Sequence, residues 1–133
     1  MRTLLLALAL VGAAAAGEVS GPERDYTLNC QGCHRADGGG TPGTIPALAG
    51  SVARFLAVPG GREFLVQVPG VAGGPLDDAA TAAVLNWLLR RFDSAHVPAD
   101  FRPYTAEEVG RLRQKPLTDV DGVRAKLLAA IGG

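Results

Sequence analysis

The chain has 133 residues, consistent with one domain, and carries 13 Lys plus Arg against 13 Asp plus Glu, a formal net charge of zero. With no basic excess there is no electrostatic footprint for nucleic acid or for an anionic membrane surface. The two cysteines fall within one four-residue span and cannot staple distant segments, which excludes a disulfide framework and makes their role local.

In chain order, Met1-Arg2 is a short positive start. Thr3 to Val11 is an apolar run too short to cross a bilayer, and Ala13 to Ala16 supply small residues. This pattern predicts a secretory signal peptide, residues 1–16, cleaved near Ala16. The mature chain would be periplasmic, 117 residues long, with a net charge of −1 once Arg2 is gone and no stable membrane span.

A helix is expected over Pro22 to His34, with Ser20 or Gly21 as cap, Pro22 at a first-turn position, and Glu23 and Asp25 at the positive end of the dipole. Residues 35–46, with Gly38, Gly39, Gly40, Pro42, Gly43 and Pro46, read as loop. Short helices are expected over Ser51 to Val58, stopping at Pro59-Gly60, and over Gly61 to Val68, stopping at Pro69-Gly70. The clearest element is Asp77 to Phe92. There Thr81, Val84, Leu85, Leu88 and Phe92 recur at helical spacing, Asp77 or Asp78 can cap the start, and Arg90-Arg91 suit the negative end. At 1.5 Å per residue it would be about 24 Å long.

A connector from Asp93 to Tyr104 follows. Thr105-Ala106-Glu107-Glu108 reads as a capping box opening a helix to about Lys115, before Pro116. Thr118 to Asp121 opens a last helix with Val120, Val123, Leu127 and Ile131 on one side. No alternating strand pattern occurs, so the expected class is all-α, with domains 17–92 and a helical extension 93–133 packed on it. The extension carries Arg111, Arg113, Lys115, Arg124 and Lys126, a basic bias able to steer an acidic partner or merely to line a solvated face. The carboxylate pairs Asp77-Asp78 and Glu107-Glu108 sit at helix starts, where capping accounts for them better than acid–base catalysis.

Chemistry is concentrated in Cys30-Gln31-Gly32-Cys33-His34, the C-x-x-C-H pattern of covalent haem attachment. On a helix these three side chains share one side, so two thiols can meet two vinyl groups while the imidazole reaches the iron. A redox C-x-x-C needs a βαβ setting that is not visible, and a zinc site needs four ligands where the chain has only two Cys and two His. One covalent haem c is therefore expected, attached through Cys30 and Cys33 with His34 as axial ligand. Its two ionised propionates would take the mature net charge to −3.

From Tyr26 to about Phe92 the sequence resembles the class I c-type cytochromes. The resemblance implies a small helical fold around one haem and single-electron transfer between redox partner proteins, not enzymatic catalysis. It also implies that the carbonyl of Pro46, twelve residues after His34, accepts the hydrogen bond of the proximal imidazole. Trp87 matches an aromatic that packs against the haem or the first helix.

The family's usual second iron ligand is a methionine, and here the sequence departs from it. The chain's one methionine is Met1, which the signal peptide would remove. The matching loop, Ala57 to Leu76, has no Met, His, Cys, Lys or Tyr; Glu63 and Gln67 are poor ligands for haem iron. Three alternatives stand at this point. His96 could ligate from the connector; the site, lined by Val66, Val68 or Val71, could be open or hold water and bind a small ligand, as in gas binding or sensing; or an unusual donor such as Lys115, Lys126, Tyr104, Asn86 or a group from a partner chain could serve. Peroxidase-like chemistry would need Arg54 or Arg62 beside an open iron.

Overall fold

The computed structural model describes residues 21–132; the expected signal peptide and Ser20 lie outside them. Helix α1 spans Gly21–Asn29, α2 Gln31–His34, α3 Gly61–Gln67, α4 Pro69–Ala72, α5 Asp78–Asp93, α6 Ala106–Leu112 and α7 Val120–Gly132, with 3-10 segments at Val52–Ala57 and Ser94–His96. The class is all-α. Among the described residues the one extended pairing is an isolated antiparallel bridge between Thr41 and Ile45.

Helix α5 forms where its periodicity places it. Asp77 is the cap, its carboxylate accepting from the Ala80 amide at 2.7 Å. Arg90 and Arg91 occupy the last turn, and the stripe Thr81, Val84, Leu85 and Leu88 is buried. Each fully buried leucine there contributes about 1.5–3 kcal/mol relative to an exposed one. Helix α1 packs against α5 through aromatic rings. Tyr26, buried on α1, lies 5.4 Å from Trp87 and 5.0 Å from Phe92 between ring centroids. Trp87 thus packs on the first helix, as core.

The helix expected over residues 22–34 is divided at Cys30, whose φ of −123° leaves the helical region. The Cys30 amide still bonds the Tyr26 carbonyl, and its own carbonyl takes the Cys33 and His34 amides, so the chain bends without losing backbone hydrogen bonds. Helix α3 stops at Gln67, before Pro69-Gly70 as expected, and Pro69 also opens the single turn α4, because proline at the first helical position forfeits only an amide that had no partner anyway. Helix α6 ends at Leu112, three residues short of expectation, since the residue before Pro116 is driven out of helical geometry and the last turn unwinds. For α7 the capping carboxylate is Asp119, bonded to the Gly122 amide at 2.9 Å.

The C-terminal helices are tied to the core by partly buried polar contacts. Arg62 on α3 makes a two-pronged pair with Glu108 on α6, at 2.6 and 2.7 Å, and lies 4.1 Å over the Tyr104 ring. Glu108 is therefore not the reciprocal half of the Thr105 capping box, although the Thr105 hydroxyl does accept from the Glu108 amide. Asn86 exchanges two hydrogen bonds with the Tyr104 backbone. Arg113 reaches from the end of α6 to the carbonyls of Ala72, Gly74 and Leu76 and to the Asp78 carboxylate. The Leu117 amide bonds the Gln67 carbonyl.

The Arg62 hydrogen bond holds the Glu108 carboxyl below its usual range, against the opposing effect of burial. Its folded pKa is thus depressed, so the stability it supplies is fully present above its unfolded value near 4.5 and is lost as pH falls through the lower folded value. Glu108→Gln should cost about 1–3 kcal/mol at neutral pH and flatten the acid limb of stability. Urea unfolding of the holoprotein across that pH range measures both.

Candidate functional site

The loop after α2 returns the chain to His34. Gly40, at φ +64°, donates its amide to the His34 carbonyl at 3.1 Å, and Thr41 and Ile45 exchange two backbone hydrogen bonds at 2.8 Å. A Cβ at Gly40 would lie 2.7 Å from the Pro46 carbonyl carbon, so only glycine permits this approach. Gly38, at φ +71°, is likewise closed against the Phe92 ring, 2.7 Å from where a Cβ would stand. The tightened loop places the Pro46 carbonyl 3.1 Å from His34 Nδ1. With Nδ1 donating there, Nε2 is the nitrogen left to bind a metal.

Cys30, Cys33 and His34 lie together on the wall of a cleft of about 390 Å³, within the size range of small-molecule and cofactor sites. Ile45, Pro46, Ala47 and Leu48 continue the wall beside His34. Phe55, Phe64, Leu65, Val68, Gly70 and Val71 come from the 3-10 segment, α3 and α4; Leu85 and Leu88 come from α5; Val120 and Arg124 come from α7. Burial pushes the Cys30 thiol up, with Asp25 and Cys33 adding to it. Burial lowers the His34 pKa, partly offset by the Pro46 hydrogen bond. Both effects keep the site uncharged in an apolar surround.

The donor set fits a covalent haem. Both cysteines are free thiols, they line one cleft with a neutral imidazole whose second nitrogen is hydrogen-bonded, and the remaining walls are apolar enough to take a porphyrin. Among the described residues no group of three or more His, Cys, Asp or Glu is arranged to hold a metal ion on its own.

Other residues singled out in the sequence are not brought to this cleft. His96 stands at the end of the 3-10 segment after α5, with Nδ1 2.5 Å from Asp93 Oδ1 and its side chain 47% exposed. Asp93 is buried, its other carboxylate oxygen taking the Ala53 amide at 2.8 Å. This pairing holds His96 on the surface, outside the cleft lining, where the sequence had offered it as a second iron ligand. Glu63, Gln67, Asn86, Tyr104, Lys115 and Lys126 do not line the cleft either. Nor do Arg54 and Arg62, the latter engaged by Glu108.

The basic set of the extension is split. Arg111, Lys115 and Lys126 are exposed, Arg113 is spent on loop carbonyls and Asp78, and Arg124 lines the cleft. Sequence reading missed Arg124 and Val120 as site residues. An arginine on an amphipathic helix carries no local mark of turning inward.

The description "Cytochrome c" fits the family model that matches residues 23–91. Among known proteins the chain is similar to a cytochrome c-552 of Thermus thermophilus, 38% identical over 89% of this chain and 90% of the relative. It is also similar to a second cytochrome c-552 of the same organism, 41% identical over 67% of this chain and 82% of the relative. The first alignment leaves only about a ninth of this chain unmatched, so it runs beyond the family model into the C-terminal helices. With its thiol pair fitting the attachment motif at the cleft, this chain belongs to the cytochrome c family of haem c electron carriers.

Proposed function

We propose that the mature chain is a periplasmic monohaem cytochrome that carries single electrons between redox partner proteins, with the haem bound through Cys30 and Cys33 and the iron through His34 Nε2. The observation that carries this reading is the 3.1 Å bond from His34 Nδ1 to the Pro46 carbonyl. A backbone acceptor fixes the ring's orientation and tautomer and raises its basicity toward a metal. The haem would supply one-electron ferrous–ferric chemistry. The chain's own residues do the rest: thiols fix the cofactor, Phe55, Phe64, Leu85 and Leu88 exclude water, and the other lining residues include no acid–base group placed to move a proton to a substrate. No described helix is long and apolar enough to cross a membrane.

A second reading has its own support. Of the residues lining the cleft, His34 is the one imidazole, and no Met, Lys or Tyr is present. The segment where relatives of class I place a methionine here presents Phe64, Leu65, Val68, Gly70 and Val71, none of which has a donor atom for iron. We read the sixth iron position as open to a small neutral ligand, with electron transfer as the main role.

In the holoprotein, ferrous iron is expected to bind carbon monoxide readily, with His96→Ala showing the same spectra and affinity as wild type. A low-spin, unreactive wild type that turns high-spin in His96→Ala would sink the open-site reading. The midpoint potential should lie below that of His/Met relatives, because methionine ligation raises it; redox titration yielding a value as high as theirs would contradict this. His34→Ala should retain thioether-bound haem by mass while losing the low-energy bands of an imidazole-bound iron.

A further inference from the structure

We infer that Arg124, on the C-terminal helix, is the cation that pairs with a haem propionate, so that the extension forms part of the cofactor's cradle. The inference starts from an imbalance. The cleft is lined by apolar side chains, two thiols, one neutral imidazole, Asn29 and a single cation, Arg124. Arg124 is half-buried, and no hydrogen bond or ion pair joins its guanidinium to any described residue. The other partly buried arginines behave differently: Arg62 is bonded to Glu108 and to the Arg102 carbonyl, and Arg113 to three carbonyls and Asp78. A guanidinium partly withdrawn from water costs free energy unless an anion or acceptors meet it. Among the described residues no group supplies them.

The cofactor supplies what is missing. Haem c brings two carboxylates, and an arginine fork matches a carboxylate with two parallel hydrogen bonds. Among the lining residues no Lys and no other Arg competes for that role. Helix geometry supports the assignment: Val120 and Arg124, four apart, share one face of α7 and both line the cleft, giving one apolar and one charged contact from the same helix. Lys126, two residues on, is exposed and faces away. Leu127 anchors the helix from the buried side, packed near Gly60. Residue 124 lies outside the segment 23–91 matched by the family model, so this contact is an addition to the family domain.

The test uses the holoprotein. A cation near the haem favours the ferrous state, whose net charge is less positive. Arg124→Gln should therefore lower the midpoint potential by about 59 mV, the value of a tenfold change in the oxidised-to-reduced ratio for one electron. Lys126→Gln, the same charge change on the same helix, should leave it unchanged, and Arg124→Lys should recover most of the loss. Should Arg124→Gln not accumulate as folded holoprotein, the wild type alone decides: nuclear Overhauser contacts between the Arg124 side chain and the propionate methylenes are expected in the diamagnetic ferrous carbon monoxide complex. Equal potentials for Arg124→Gln and wild type, equal shifts for Arg124→Gln and Lys126→Gln, or absence of those contacts would overturn the assignment. So would loss of azide affinity by ferric Arg124→Gln with its potential unchanged, which would make Arg124 the partner of an exogenous anion instead.

Discussion

The Tyr26 side chain joins the two halves of the structure that matter most. Its ring packs against both Trp87 and Phe92, which also meet each other, locking the crossing of α1 and α5, and its hydroxyl donates to the Arg35 carbonyl at 2.7 Å. Arg35 is the residue after His34 and has a φ of +65°, a conformation a non-glycine residue holds only when its surroundings fix it. One phenol therefore packs the helix crossing and holds the exit from the attachment segment. Burial pushes its pKa up to about 12, with Cys30 and Asp37 adding to the effect, so it remains a neutral donor throughout the physiological range. From that fixed exit the loop folds back through Gly38 and Gly40, and the Pro46 carbonyl arrives at His34.

The C-terminal helices solve a problem of size. The chain has few aromatics, four Phe, two Tyr and one Trp, and the family segment by itself would leave the far wall of the cleft short of cover. Val120 closes that wall, and buried Val109 and Leu127 extend the core. Polar contacts set the register of this cover. Arg62 with Glu108, Arg113 with the 72–78 turn, and Asn86 with Tyr104 each join residues 18 or more apart in sequence, so each couples an element of the extension to the core. Arg113 fixes the short turn between α4 and α5, beside the cleft wall. The wall beside that turn is lined by Val68, Gly70 and Val71.

The Asp93–His96 pair illustrates how a side chain's neighbours decide its role. A histidine beyond the long helix looks, in sequence, like a ligand able to reach back. In the fold it follows a buried carboxylate that already takes the Ala53 amide, and the imidazole completes that carboxylate's hydrogen bonding instead. The interaction ties the end of α5 to the 3-10 segment at Val52–Ala57, a structural service at the opposite end of the helix from Asp77.

The sequence alone determined the cofactor, its attachment and much of the helical frame. These rest on short-range rules: a three- and four-residue spacing that puts Cys30, Cys33 and His34 on one side, an apolar stripe at helical period in α5, and caps at Asp77 and Thr105. That Met1 is the one methionine of the sequence is a count and needs no coordinates. Tertiary structure decided what depends on distant partners: that Glu108 serves Arg62 and not its own cap, that His96 belongs to Asp93, and that Pro69 opens a turn. It also decided that Arg124, and not Arg111, Arg113, Lys115 or Lys126, faces the cleft. Charge pattern along a helix gives the faces of that helix, but which face meets the haem depends on how α7 is seated. That seating is set by Leu127 and by contacts with α3 and the 3-10 segment, more than fifty residues earlier in the chain.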